Sequence, residues 1–223
     1  MKTKMLAKSS IATLALVTVA AISLSSTASA AFVLTAPTGE SGADFTGTFT
    51  AAINYSNAAG DKTVGDAVFT TVTIPSPWGT WSDNNSWGLA DGTADFKDVI
   101  NGFAYTYDPI SVTTNFTVVS GSTYKLQVFI ARGNVLDQSF TLSGANTDSY
   151  AMTAQPGTDG SFYYLLTDTF VANSTSLTLT TLNSNNCALN GITLEAVPEP
   201  ATSALLAFSL TTVMVLRRRP RNA

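Results

Sequence analysis

Histidine is absent from the chain, and cysteine occurs once, as Cys187. The first absence excludes Ser-His-Asp and Cys-His nucleophile arrangements and any histidine-ligated metal, and the second excludes zinc held by several thiolates. One cysteine makes no intrachain disulfide, so apolar packing has to hold the fold, and Cys187 reads as a small buried hydrophobe. Basic residues are scarce and unevenly placed. Of 11, Lys2, Lys4 and Lys8 precede the first apolar run and Arg217, Arg218, Arg219 and Arg221 follow the last. Four remain between (Lys62, Lys97, Lys125, Arg132), against 15 acidic residues confined to Glu40 through Glu199, a net of −11. Four scattered bases cannot displace counterions from a phosphate backbone, which excludes nucleic acid as a partner. Fifteen acidic residues are enough for a glycosidase pair, but they fall mostly in Gly- and Asn-rich turns, where carboxylates bond local backbone or face water. The chain reads as non-catalytic.

Both ends carry processing patterns. Residues 1–30 form a signal peptide: a basic start, an apolar stretch from Ile11 to Leu24, and the small-residue exit Ala28-Ser29-Ala30, with cleavage expected after Ala30. The apolar run is short for a bilayer core of ~30 Å, which argues against a retained first span. Export of this kind implies the Sec machinery as a partner. At the other end, residues 197–223 hold Pro198-Glu199-Pro200, an apolar stretch 201–216 and the basic tail 217–223. A helix over the apolar stretch rises ~24 Å, marginal for a membrane, while Arg217, Arg218 and Arg219 act as a stop on the cytoplasmic side. The two prolines keep the preceding chain extended and accessible.

This order of motif, transmembrane helix and arginine cluster resembles the PEP-CTERM sorting signal. The resemblance covers Val197 to Ala223 and implies recognition by an exosortase, a membrane protease-transpeptidase that cuts near the motif, in a Gram-negative bacterium that makes exopolysaccharide. It implies transient anchoring in the inner membrane, then release to the cell surface or extracellular matrix. It says nothing about the cargo.

The cargo is residues 31–196. Apolar and β-branched residues alternate with polar ones in short runs separated by Gly, Asn, Asp and Ser, the period-two pattern of half-buried strands. Strands are expected over Phe49–Asn54, Ala67–Ile74, Ile110–Val119, Thr123–Ala131, Ser139–Leu142, Tyr163–Val171, Leu177–Leu182 and Ile192–Val197, with turns including 144–147 and 183–186 and one helix over Asp91–Asn101. Eight or more strands with this much apolar surface must pair as two sheets. The expected fold is all-β, a two-sheet antiparallel sandwich of jelly-roll type. The runs Ala52-Ile53-Asn54-Tyr55, Gly65 to Phe69, Tyr124 to Phe129 and Ala188 to Ile192 are similar to malectin-like and galactose-binding-like modules. That similarity implies that an opening and a closing strand lie side by side.

Three tryptophans, Trp78, Trp81 and Trp87, fall within ten residues. Indole faces stack on sugar rings, and with Asp83 and Asn85 beside them they make a candidate glycan platform; packing into the core is the competing reading. Turn carboxylates also suit a hard cation, so a structural calcium ion is a candidate cofactor. Asp83 and Asp91 are the first ligand candidates, although Trp87 and Ala94 break the EF-hand pattern. Asp61, Asp66 and Glu195 are the second set, if first-strand and last-strand neighbourhoods converge. The expected function is a surface or matrix protein that binds carbohydrate, namely exopolysaccharide, without catalysis; a structural or adhesive envelope protein with no small ligand is the alternative.

Overall fold

The computed structural model describes residues 31–55, 60–74, 78–82, 89–106, 111–131, 136–152, 163–185 and 187–198. The expected signal peptide and the apolar and basic parts of the expected sorting tail, with Ala28, Ala30, Glu199, Pro200 and Arg217 to Arg219, lie outside them. Among the described residues no helix is long and apolar enough to cross a membrane.

The strands are β1 (Val33–Thr35), β2 (Thr48–Asn54), β3 (Lys62–Val64), β4 (Ala67–Thr71), β5 (Gly79–Ser82), β6 (Gly102–Thr106), β7 (Ser111–Thr117), β8 (Thr123–Ile130), β9 (Leu136–Gly144), β10 (Asp148–Met152), β11 (Tyr164–Val171), β12 (Ser176–Asn185), β13 (Cys187–Leu189) and β14 (Gly191–Val197); helix α1 spans Ala94–Asn101. Seven strands form one sheet in the order β1-β11-β8-β14-β2-β4-β3, four form a second in the order β10-β9-β12-β7, and β13-β6-β5 form a third. All eight expected strands are present. The opening strand β2 and the closing strand β14 pair antiparallel, with Ile53 opposite Ile192.

Two expectations need correcting. The sandwich is not purely antiparallel, because β2 and β4 run parallel, and it is not limited to two sheets. The reason lies on β8 and β14. Their alternation places Leu126, Val128, Ile192 and Leu194 on one face and Gln127, Phe129 and Thr193 on the other, yet every one of these side chains is buried. A sheet apolar on both faces needs cover on both. One face meets the four-stranded sheet in the common core, and the other receives the segment 36–47, β3–β4 and α1. Phe45, Phe69, Phe96, Phe129 and Tyr163 make that second layer, with ring centroids 5.6 to 6.2 Å apart. The stretch 183–186, expected as a turn, instead carries β12 out to Asn185.

Helix α1 starts later than its expected Asp91 because Thr93 caps it: the Thr93 hydroxyl accepts the Phe96 N–H at 3.2 Å. Phe96, Val99 and Ile100 face the core. The opposite flank clamps β3, with Lys62 Nζ 2.6 Å from Asp98 Oδ2 and the Thr63 N–H donating to Asp95 Oδ2 at 2.8 Å.

Candidate functional site

Asp91, from the first set of proposed calcium ligands, is held by the backbone of segment 39–42, beside Glu40. Asp91 Oδ1 accepts the Ser41 N–H at 3.4 Å, and Glu40 Oε2 accepts the Thr93 N–H at 2.5 Å. Hydrogen bonding from the Ser41 side chain and nearby backbone holds the Asp91 carboxyl below its usual range. The corner is completed by the Tyr163 hydroxyl, which donates to Gly39 O at 2.8 Å, and burial pushes that phenol up. Asp91 is therefore part of a knot joining segment 39–42 to the start of α1. Its proposed partner Asp83 lies outside the described residues.

The second set is not assembled. Asp61 is solvent-exposed just before β3, and Asp66 is exposed with its Oδ2 accepting the Gly47 N–H at 2.9 Å. Glu195 is 6% exposed, and its Oε2 has no hydrogen-bond partner among the described residues. Among those residues no three acidic or cysteine side chains converge on one point. The turn between β3 and β4 brings only Asp66 to Gly47, leaving Asp61 ahead of β3. Gly47 separates the Asp66 and Glu195 carboxylates: at φ 144°, a Cβ there would sit 2.1 Å from Glu195 Oε1. Burial raises the Glu195 carboxyl, the Asp44 charge adds to this, and Lys125 opposes it. Lys125 instead pairs with Asp44 at 2.6 Å. Gln127 binds the Asp44 backbone both ways, accepting its N–H at 3.0 Å and donating to its carbonyl at 2.6 Å. This polar row ties segment 43–47 down onto the sheet.

Trp78 is buried at 6% exposure, so its indole packs into the core and presents no face to a ligand. It stands just before β5, whose Gly79 pairs with Tyr105 of β6. Trp81 lies within β5. Trp87, Asp83 and Asn85 lie outside the described residues.

A surface not singled out from sequence is the outer face of the four-stranded sheet. Thr141, Thr180 and Thr113 stand in register across three strands, as do Ser143, Thr178 and Asn115, and Ser149 extends the first row onto β10. The Thr178 hydroxyl donates to Asn115 Oδ1 at 2.9 Å. Each row follows the strand spacing of ~4.8 Å, and the two rows are ~6.8 Å apart. From Ser139 to Ser143, Thr178 to Leu182 and Ser111 to Thr117, no residue is charged. The sequence signal was available in the Thr-x-Ser, Thr-x-Thr and Thr-x-Asn spacings, but only the register brings them together.

Asp168 is the carboxylate with the largest departure toward neutrality, pushed up to about 7 by burial first and the neighbouring Asp148 charge second. Such shifts mark catalytic acids when they occur in clefts. Asp168 is 1% exposed, faces inward with Leu166 and Phe170 on β11, and accepts from Asn146 Nδ2 at 2.7 Å. Buried between sheets, it serves the core.

No family model matches the chain, and no curated protein matches it. Several solved structures are similar. A carbohydrate-binding module (CBM6cm-2) of Cellvibrio mixtus lichenase 5A, in complex with cellotriose, is 14% identical at a TM-score of 0.40, covering 68% of this chain and 100% of the module. The ANX2 ectodomain of Arabidopsis thaliana is 10% identical at 0.46, covering 68% of this chain and 50% of that one. TmCBM61 in complex with β-1,4-galactotriose is 12% identical at 0.34, covering 55% and 90%. The chain thus spans the whole of the first module and half of the ectodomain. The likeness is one of general β-sandwich shape and transfers no residue.

Proposed function

We propose that this chain is an exported, exosortase-processed surface protein that binds a neutral polysaccharide and catalyses no reaction. The observation that carries the reading is the uncharged hydroxyl and amide array on the outer face of the four-stranded sheet. Sugar hydroxyls exchange hydrogen bonds with Ser, Thr and Asn in either direction. No charge on the array has to be desolvated, so a neutral chain lying on it loses little of what it gains. An acidic protein also repels acidic polymers, which favours an uncharged exopolysaccharide.

The test is glycan-array binding of the full chain in detergent, followed by titration of the best glycan. Thr180→Glu is expected to abolish saturable binding without altering the fold, because Thr180 is half-exposed. If Trp81→Ala or Trp87→Ala abolishes binding and Thr180→Glu does not, the ligand lies on the tryptophan segment instead. No saturable binding by folded protein overturns the reading and leaves a structural or adhesive envelope protein.

A further inference from the structure

Both ends of the described chain meet at one pole of the sandwich. The last strand, β14, ends at Val197, which stands opposite Thr123; Thr123 is flanked on its other side by Val171, the end of β11. At the beginning, β1 runs antiparallel to β11 with Val33 opposite Thr167. Ala31 and Phe32 therefore lie toward the same end of β11. There the Phe32 N–H donates to Asp148 Oδ2 at 2.7 Å, at the start of β10. The turns of this pole are stitched together: Gly121 N–H to Ala172 O at 2.7 Å, Ala145 N–H to Ser176 O at 2.7 Å and Val118 N–H to Thr175 O at 3.1 Å.

The chemistry of the pole differs from the rest of an acidic domain. Residues 118–123, 144–147 and 171–176 contain no charged side chain. Of the five large hydrophobics exposed among the described residues, two stand here, Val119 at 63% and Val171 at 40%. Only Pro198, Glu199 and Pro200 separate Val197 from the apolar run that begins at Ala201. Three residues span at most ~10 Å even when fully extended.

We propose that this pole rests on the bilayer surface while the tail is inserted, with Val119 and Val171 entering the headgroup layer. The proposal rests on the membrane-anchored reading of the tail given above. A three-residue connection leaves the domain no room to stand clear of the membrane. Asp148 at this pole is engaged by the Phe32 and Ser149 N–H groups, and the turns 118–123, 144–147 and 171–176 carry no carboxylate, so they are the part of a net-acidic domain that an anionic surface repels least. Valine side chains gain from leaving water for the interface. The hydroxyl-rich sheet then runs up from the membrane, and the segment carrying Trp78 and Trp81 points away from it.

The experiment uses the full chain with Cys187→Ser, carrying one cysteine in turn as Val119→Cys, Val171→Cys or Leu182→Cys, each labelled with an environment-sensitive fluorophore. Leu182 is the control, an equally apolar residue, 49% exposed, at the other end of β12. The chains are reconstituted into vesicles of phosphatidylethanolamine and phosphatidylglycerol, floated, and exposed to aqueous iodide or to nitroxide-bearing lipid. The expected result is several-fold weaker iodide quenching and stronger lipid quenching at 119 and 171 than at 182. Equal quenching at all three in floated protein overturns the proposal while leaving the anchor intact. Failure to float overturns the anchor reading and the proposal with it. Hydrogen exchange on the chain without cysteine changes gives an independent readout. Val119→Asp with Val171→Asp should leave flotation unchanged and speed exchange at 118–122 on vesicles; unchanged exchange there overturns the proposal.

Discussion

Asp168 shows how far one side chain can depart from what its residue type suggests. Its folded-state carboxyl titrates at about 7 against a reference value of 3.8, through burial and the charge of Asp148. Between those values the folded protein holds a proton that the unfolded chain releases, so the group's contribution to stability falls as pH rises through this window and is constant above it. The full loss is about 4 kcal/mol at one pKa unit per ~1.4 kcal/mol. Asp168→Asn is therefore expected to raise the thermal midpoint at pH 8 and to change it little near pH 4. Unfolding curves of both proteins across that range check it, and a difference independent of pH sinks the account. The environment was readable in principle, since alternation along β11 groups Asp168 with Leu166 and Phe170. The assumption that carboxylates sit in turns hid it. Gly144 is a second residue-scale case: at φ 87°, a Cβ would sit 2.2 Å from the Ser176 carbonyl, a backbone atom that cannot swing aside. Gly144→Ala should cost more than ~1 kcal/mol, read from the denaturant midpoint.

At the scale of elements, Asn190 joins more of the fold than its place between two strands suggests. It sits between β13 and β14. Its Oδ1 accepts the Ala131 N–H at 2.6 Å, and its Nδ2 donates to Ile100 O at 2.7 Å and Gly102 O at 2.9 Å. One amide thus locks the end of α1, the start of β6 and the exit of β8 to the closing strand. Asn190→Ala leaves a buried N–H and two carbonyls without these partners, at ~1 to 3 kcal/mol for each lost group, so destabilisation of at least ~3 kcal/mol is expected. Chemical denaturation measures it, and a loss below ~1 kcal/mol would show that the amide is dispensable. Asn190→Asp should fare no better, since a carboxylate cannot donate to Ile100 and Gly102. The eight strands β2, β4, β7, β8, β9, β11, β12 and β14 of the two large sheets were legible because they are runs of apolar and β-branched residues bounded by turns rich in Gly and Asn. The short strands β1, β3, β5, β6, β10 and β13 were not. Three to five residues carry too little periodicity, and β1 and β13 are fixed by partners far along the chain, as Val33 is by Thr167 and Cys187 by Thr106. The hydroxyl array was hidden for the same reason, because its rows exist only through register. At Trp78 the packing alternative holds, since its indole is buried.

For the whole molecule, the decisive placement is that of the last strand. β14 lies inside the seven-stranded sheet, paired on one side with β2 and on the other with β8. Ile192 and Leu194 are fully buried, and Thr193 fills the polar row beside Gln127, whose Nε2 donates to its hydroxyl at 3.0 Å. A cut beyond Pro198 therefore leaves every described strand in place, whereas one before Gly191 takes out a central strand and exposes both of its neighbours. A chain ending at Pro198 should unfold with the same midpoint as the full chain in the same detergent. One ending at Asn190 should show no cooperative transition, because loss of a central strand strands the hydrogen bonds of two others and opens the core on both faces. Circular dichroism melts of the two truncations decide the matter. A shift of the Pro198 chain to a lower midpoint would mean that the tail takes part in the fold, and processing at the Pro-Glu-Pro motif would then weaken the domain. With equal midpoints, folding is independent of the tail, as the proposed processing and release from the membrane require.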